Sequence, residues 1–201
     1  PFFEITVGTL NDTPIINCPN EDCEVSLSDI MVVYEDCSET EQSNNDQCNN
    51  SVGLSVNQLR LGYDDIDNDL CSIEHLWYDT DCNDLEDSSL FNFGIAVDVN
   101  SCVDNIENKG IWKYKMGNDE FFTAFDLDGN CNFKLLDKND EIKFYPNDNY
   151  YTTENIETLP QIKFYAWDQT FQSNDDCISS LDNRDVCVDQ TSFSENYITA
   201  N

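Results

Sequence analysis

The chain has 201 residues, with 41 Asp and Glu against nine Lys and Arg, a single His, ten Cys and a formal net charge of −32. Such a charge repels phosphate backbones, whose binding relies on clustered Lys and Arg that displace counterions, so nucleic acid is excluded as a partner. Apolar residues at 39% and aromatic residues at 12% supply enough material for a core, which excludes a disordered acidic tail.

The length suits one large domain, or one domain carrying sizeable insertions. No apolar run approaches the roughly 20 residues that span a bilayer, so membrane insertion is not expected. Taken in order, short alternating runs bounded by Asn, Asp and Gly fall at residues 2–7, 25–34, 52–61, 91–99, 110–116, 120–125, 132–136, 141–145 and 161–167, while helical periodicity is nearly absent. The pattern predicts an all-β fold whose spacing suits a Greek-key β-sandwich. Polar, Cys-bearing stretches at 35–50, 64–87 and 172–194 cannot build cores of their own and read as insertions pinned by disulfides. Trp112 and Trp167, each within an alternating run, are expected as core anchors.

The ten cysteines are Cys18, Cys23, Cys37, Cys48, Cys71, Cys82, Cys102, Cys131, Cys177 and Cys187. Their even number, the lack of CxxC pairs and the single imidazole, His75, favour up to five disulfides over zinc. Disulfides imply an oxidising compartment, hence an extracellular or cell-surface location. Asn11-Asp12-Thr13 and Asn49-Asn50-Ser51 are sequons, so N-linked glycans are expected at Asn11 and Asn49. The densest acidic cluster, Asp64-Asp65-Ile66-Asp67-Asn68-Asp69, puts alternate carboxylates at Asp65 and Asp67, hard oxygen ligands that suit Ca²⁺. Catalysis finds little support: no GxSxG-type nucleophile accompanies His75, and there is no Gly-rich phosphate loop. A carboxylate-pair glycosidase has no motif to exclude it, but it needs a cleft that a small sandwich seldom builds.

Between residues 93 and 170 five ordered blocks stand out: Gly94-Ile95-Ala96-Val97, Gly110-Ile111-Trp112-Lys113-Tyr114, Phe121-Phe122-Thr123-Ala124-Phe125, Ile142-Lys143-Phe144-Tyr145-Pro146-Asn147, and Ile162-Lys163-Phe164-Tyr165-Ala166-Trp167-Asp168-Gln169-Thr170. The series resembles the cadherin-like tandem repeat of very large surface adhesins. That resemblance implies a cadherin or immunoglobulin-like sandwich, and calcium at the junction between repeats. The matching ligand positions are Asp65 and Asp67, the acidic pair Glu35 and Asp36, and the linker's Asn11-Asp12, with Asp12 as the carboxylate. The cysteines depart from the family, whose bacterial repeats usually lack them.

The family's repeat boundary, a β-strand followed by a linker ending in Asn-Asp-Ala-Pro, is similar to residues 2–10 followed by Asn11-Asp12-Thr13-Pro14, whereas residues 191–201 resemble the approach to that strand and then stop. Two units are therefore expected: residues 1–10 as a donor or linker strand carrying Phe3, Ile5 and Val7, and residues 11–201 as the sandwich. The donor would complete the neighbouring copy, covalently linked or separate, because an open sheet edge exposes unpaired backbone groups that an extended segment satisfies. A contact between opposite ends is heterologous and propagates. The function expected is a structural protomer of an extracellular filament or adhesin stalk, joined head to tail to other copies of itself. A monomeric glycan- or protein-binding module and a secreted hydrolase are the alternatives.

Overall fold

The computed structural model describes residues 15–16, 24–25, 53–61, 77–78, 93–104, 109–117, 119–126, 131–147, 160–169, 177–178, 192–194 and 196–200. They are mostly β. The strands are β1 (Ile15–Ile16), β2 (Glu24–Val25), β3 (Leu54–Ser55), β4 (Trp77–Tyr78), β5 (Gly94–Asp98), β6 (Gly110–Lys115), β7 (Thr123–Ala124), β8 (Phe133–Asp137), β9 (Glu141–Pro146), β10 (Ile162–Trp167), β11 (Cys177–Ile178) and β12 (Ile198–Ala200). Two short helices, α1 (Val56–Leu61) and α2 (Val99–Asp104), follow β3 and β5 directly.

One sheet has the order β11-β8-β5-β10-β12-β2, a second β3-β9-β6-β7, and β1 pairs with β4 apart from both. Among the described residues every pairing is antiparallel except that of β12 with β2. The period-two alternation of a strand sends every second side chain to one face. Ile95 and Val97 of β5, Leu136 of β8, Ile162, Phe164 and Ala166 of β10, and Ile198 and Ala200 of β12 thus meet Trp112 of β6, Ile142 and Phe144 of β9 and Leu54 of β3 in one buried cluster. Trp112 sits there 1% exposed, its ring tilted against Phe144 at 5.3 Å between centroids.

Two glycines let the ladders close. A Cβ on Gly94 would strike the Leu136 carbonyl oxygen across the β5–β8 pair. One on Gly110, whose φ is +157°, would strike the Tyr145 carbonyl oxygen and lie 2.5 Å from the Phe144 ring. The β8–β9 turn, which carries the chain from one sheet to the other, is tied by buried Asp140. Its carboxylate accepts the Asp137 N–H at 2.7 Å and the Gly117 N–H at 2.8 Å.

Several expectations are corrected. Of residues 52–61, predicted as one strand, 54–55 are strand and 56–61 form α1, because Ser55 and Gln58 make a reciprocal cap. The Gln58 N–H donates to Ser55 Oγ at 3.1 Å, while the Ser55 N–H and hydroxyl donate to Gln58 Oε1 at 2.9 and 3.0 Å. The first helical amides, Val56 and Asn57, donate to the Asp140 and Lys138 carbonyls at 2.9 and 3.1 Å, so α1 is seated on the β8–β9 turn. Val56 and Leu59, three residues apart, are fully buried. α2 begins where Asp98 Oδ1 accepts the Asn100 N–H at 3.0 Å, and it turns Val99 and Cys102 into the core. The stretches read as loop insertions also contribute strands, since β4 lies within 64–87 and β11 within 172–194. The expected strands at 110–116, 141–145 and 161–167 match β6, β9 and β10 to within a residue at each end. Residues 2–7 and 26–34 lie outside the described residues.

Candidate functional site

An open sheet edge was the expected joining site, and the pairings around β10 bear on that expectation. There β10 is flanked on one side by β5 and on the other by β12, with Ile162, Lys163 and Phe164 opposite Ala200, Thr199 and Ile198. The same edge continues along residues 192–194. The Asp168 N–H donates to the Ser192 carbonyl at 3.1 Å, the Ser194 N–H donates to the Ala166 carbonyl at 3.0 Å, and the Ala166 N–H donates to Ser194 Oγ at 3.0 Å. The Ser194 hydroxyl donates to the Asn196 carbonyl at 2.8 Å. On the β5 side, where the backbone bends away into α2, Ser101 takes over. Its hydroxyl donates to the Asp98 carbonyl at 2.7 Å and accepts the Lys163 N–H at 2.9 Å. Two serines thus finish a ladder that strands alone would leave with buried, unmet donors.

Beside β10, Ile198–Ala200 is a strand of the chain's own sheet, buried at all three positions. The closing strand was expected from outside the chain because the resemblance ends near residue 201. These three residues pair with β10 within the chain's own sheet. The outer side of β12 is matched, among the described residues, by Glu24 and Val25 in parallel register with Thr199 and Ala200.

The outward faces of the two sheets differ. On the six-stranded sheet Ala96, Leu135 and Trp167 form a second buried cluster, with Phe133, Tyr165, Ile178 and Phe193 packed on it. Trp167 is buried as expected, but on the face opposite Trp112, stacked against Phe193 at 6.4 Å and 15°. Phe133, Tyr165 and Tyr197 run across the strands in edge contacts of 5.9 Å each, Tyr197 being 43% exposed with Lys163 Nζ 5.1 Å from its ring centre. On the four-stranded sheet the outward residues of β6 and β9 are Lys113, Lys115, Lys143 and Tyr145, under Phe122. Burial lowers the Lys143 ammonium pKa from its ordinary value, nearby Glu141 pulls it back up, and the Lys115 charge pushes it down.

Of the expected site residues, the calcium set Asp12, Glu35, Asp36, Asp65 and Asp67, the sequons at Asn11 and Asn49, and the assembly residues Phe3, Ile5 and Val7 lie outside the described residues. So do Cys18, Cys23, Cys37, Cys48, Cys71, Cys82 and Cys187, and the side chain of Cys177. Among the described residues no three Asp, Glu, His or Cys gather as a metal site, and no helix is long and apolar enough to cross a membrane. Cys131 is half of a disulfide. Cys102 is corrected: it is a free, buried thiol, because α2 directs it into the aliphatic core. Sequence reasoning missed three features: the lysine face, the bridging serines and fully buried Arg60, whose guanidinium lies 4.6 Å from the Phe93 ring centre. The lysine face was readable in principle, since Lys113, Lys115 and Lys143 occupy alternate strand positions.

Comparison of the chain with family models, curated proteins and solved structures finds no match.

Proposed function

We propose that this chain is a structural protomer of an extracellular filament or adhesin stalk: a cadherin-like, Greek-key sandwich whose copies join head to tail by β-strand complementation. The observation that carries the reading is the parallel pairing of β2 with β12. Parallel neighbours enter at one pole of a sheet and leave at the other, so a chain arriving along β2 and departing along β12 runs from end to end, as a longitudinal array requires. The slot beside β10 is occupied by β12, so complementation acts one position further out, where a strand carrying Phe3, Ile5 and Val7 from the next copy extends the β12–β2 edge. The remaining disulfides hold the Cys-rich stretches, Asn11 and Asn49 carry glycans, and calcium held by Asp12, Glu35, Asp36, Asp65 and Asp67 stiffens the junctions. Strong acidity supports the reading by keeping copies apart laterally.

The test is negative-stain microscopy of the purified protein with calcium and with chelator, beside the variant Ile5→Asp. Linear particles that shorten or bend on chelation and vanish in Ile5→Asp are expected. Monomers under every condition, or Phe3, Ile5 and Val7 found packed inside their own subunit, would overturn the proposal. The partly exposed Phe133, Tyr165 and Tyr197 run favours a second reading, a monomeric binding module, which gains if monomers bind glycans and Tyr197→Ala abolishes that binding.

A further inference from the structure

The outward face of the six-stranded sheet sets two opposite charges beside its aromatic row. Side chains along a strand alternate between faces. Ile162, Phe164 and Ala166 of β10 enter the main core while Tyr165 and Trp167 join the outward cluster, so Lys163 shares the face of Tyr165. By the same alternation Asp98 of β5 shares the face of Ala96, and in register it lies directly opposite outward Phe133 of β8. The last rung between β5 and β10 joins Val97 to Phe164, so Asp98 and Lys163 stand on neighbouring strands one position beyond it.

The two charges do not neutralise each other. The Lys163 ammonium lies toward the β12 side, 5.1 Å from the Tyr197 ring centre, and forms no ion pair among the described residues. Asp98 Oδ1 accepts the Asn100 N–H at 3.0 Å and the Asn100 Nδ2 amide at 3.2 Å, whereas Oδ2 takes no hydrogen bond among the described residues. Phe133, Tyr165 and Tyr197 cross the strands in edge contacts of 5.9 Å, and Tyr197, 43% exposed, presents both ring and hydroxyl to solvent. A donor, an acceptor and an apolar surface thus share one face.

We infer that this face binds a neutral saccharide. An ammonium only donates and a carboxylate only accepts, so a ligand that meets both must offer acceptors to one and donors to the other. Sugar hydroxyls do both, and the C–H face of the ring covers the tyrosine. Charge selects the neutral class: an anion that gains at Lys163 loses at Asp98 and is repelled by the net −32 of the chain, and a cation that gains at Asp98 loses at Lys163. In the complex one sugar lies on Tyr197 beside Tyr165, its hydroxyls accepting from Lys163 Nζ and donating to Asp98 Oδ2. The inference rests on the second reading above, from which it takes the aromatic run as the binding surface, and it names the ligand class and the polar groups that hold it.

Saturation-transfer NMR and calorimetry of the full chain with cellohexaose, chitohexaose and mannohexaose, beside hexagalacturonate as the anionic counterpart, test it. At least one neutral probe should bind, with an affinity that changes less than about twofold between about 50 and about 300 mM NaCl, since a neutral ligand has no charge to screen. Tyr197→Ala should abolish detectable binding, and Lys163→Met should weaken it about tenfold. Asp98→Asn, which keeps a capping side chain at the start of α2, should weaken it about threefold as a charge-assisted bond becomes a neutral one. Lys115→Gln, on the other sheet, should bind as the wild type does, and circular dichroism checks that each variant is folded. Tighter binding of hexagalacturonate than of every neutral probe would overturn the inference. So would saccharide binding that survives Tyr197→Ala, which leaves the binding-module reading standing with its site elsewhere, whereas no binding of any probe sinks both.

Discussion

Cys102 shows how a single side chain departs from its sequence-level reading. Counting cysteines treats every thiol as a disulfide half, but three residues after Val99 on a capped helix the side chain points into the core, where Cys behaves as a small hydrophobe. Burial pushes its thiol pKa well above the ordinary 9.0. The hydrogen bond with Ser101 works against this shift and the Asp98 charge adds to it. The folded thiol therefore keeps its proton where the unfolded one has lost it, so its stabilising contribution is whole below pH 9.0 and is lost as the pH rises further. Lys143 acts in the opposite sense. Its folded ammonium gives up its proton early, so stability is gained as the pH climbs toward 10.5. Between those two values Cys102→Ala should lose stability less steeply than the wild type in urea unfolding. Equal slopes would show that the thiol does not titrate in this way. The native thiol should also resist alkylation until the chain unfolds.

At the level of elements, the long strands were legible, whereas the two-residue strands β1, β4 and β11 were not. β6, β9 and β10 each hold six residues, enough for alternation to mark a buried face, and Gly94 and Gly110 mark where the partner backbone closes over them. β1, β4 and β11 hold two residues each, and such pairs form only because other elements bring the strands together. α1 was misread although its signal was present. Ser55-Val56-Asn57-Gln58 is a capping box, and Val56 and Leu59 have helical spacing, but Leu54 and Val56 also alternate. Ser55→Ala should cost about 1 kcal/mol in chemical denaturation, and combining it with Gln58→Ala should add little, since both remove the same reciprocal cap. Full additivity in that cycle would contradict the cap.

For the whole molecule, charge is the largest influence visible before any fold. A net −32 spread over one chain repels itself in the compact state, so the unfolding midpoint should rise when NaCl is raised from about 0.15 M to about 1 M, as the screening length falls from about 8 Å to about 3 Å. A midpoint that falls or stays level would mean that ion pairs and lysine–aromatic contacts outweigh the repulsion. Composition and alternation by themselves determined the mostly β class and the amphipathic strands between residues 94 and 167, because each depends on residue type and local period alone. Only the tertiary structure decided that residues 198–200 pair with β10 in their own sheet, that Cys102 stays a free thiol and that Lys113, Lys115 and Lys143 gather about Phe122 and Tyr145. Each of these depends on which strand lies beside which, and that is fixed by contacts between residues distant along the chain.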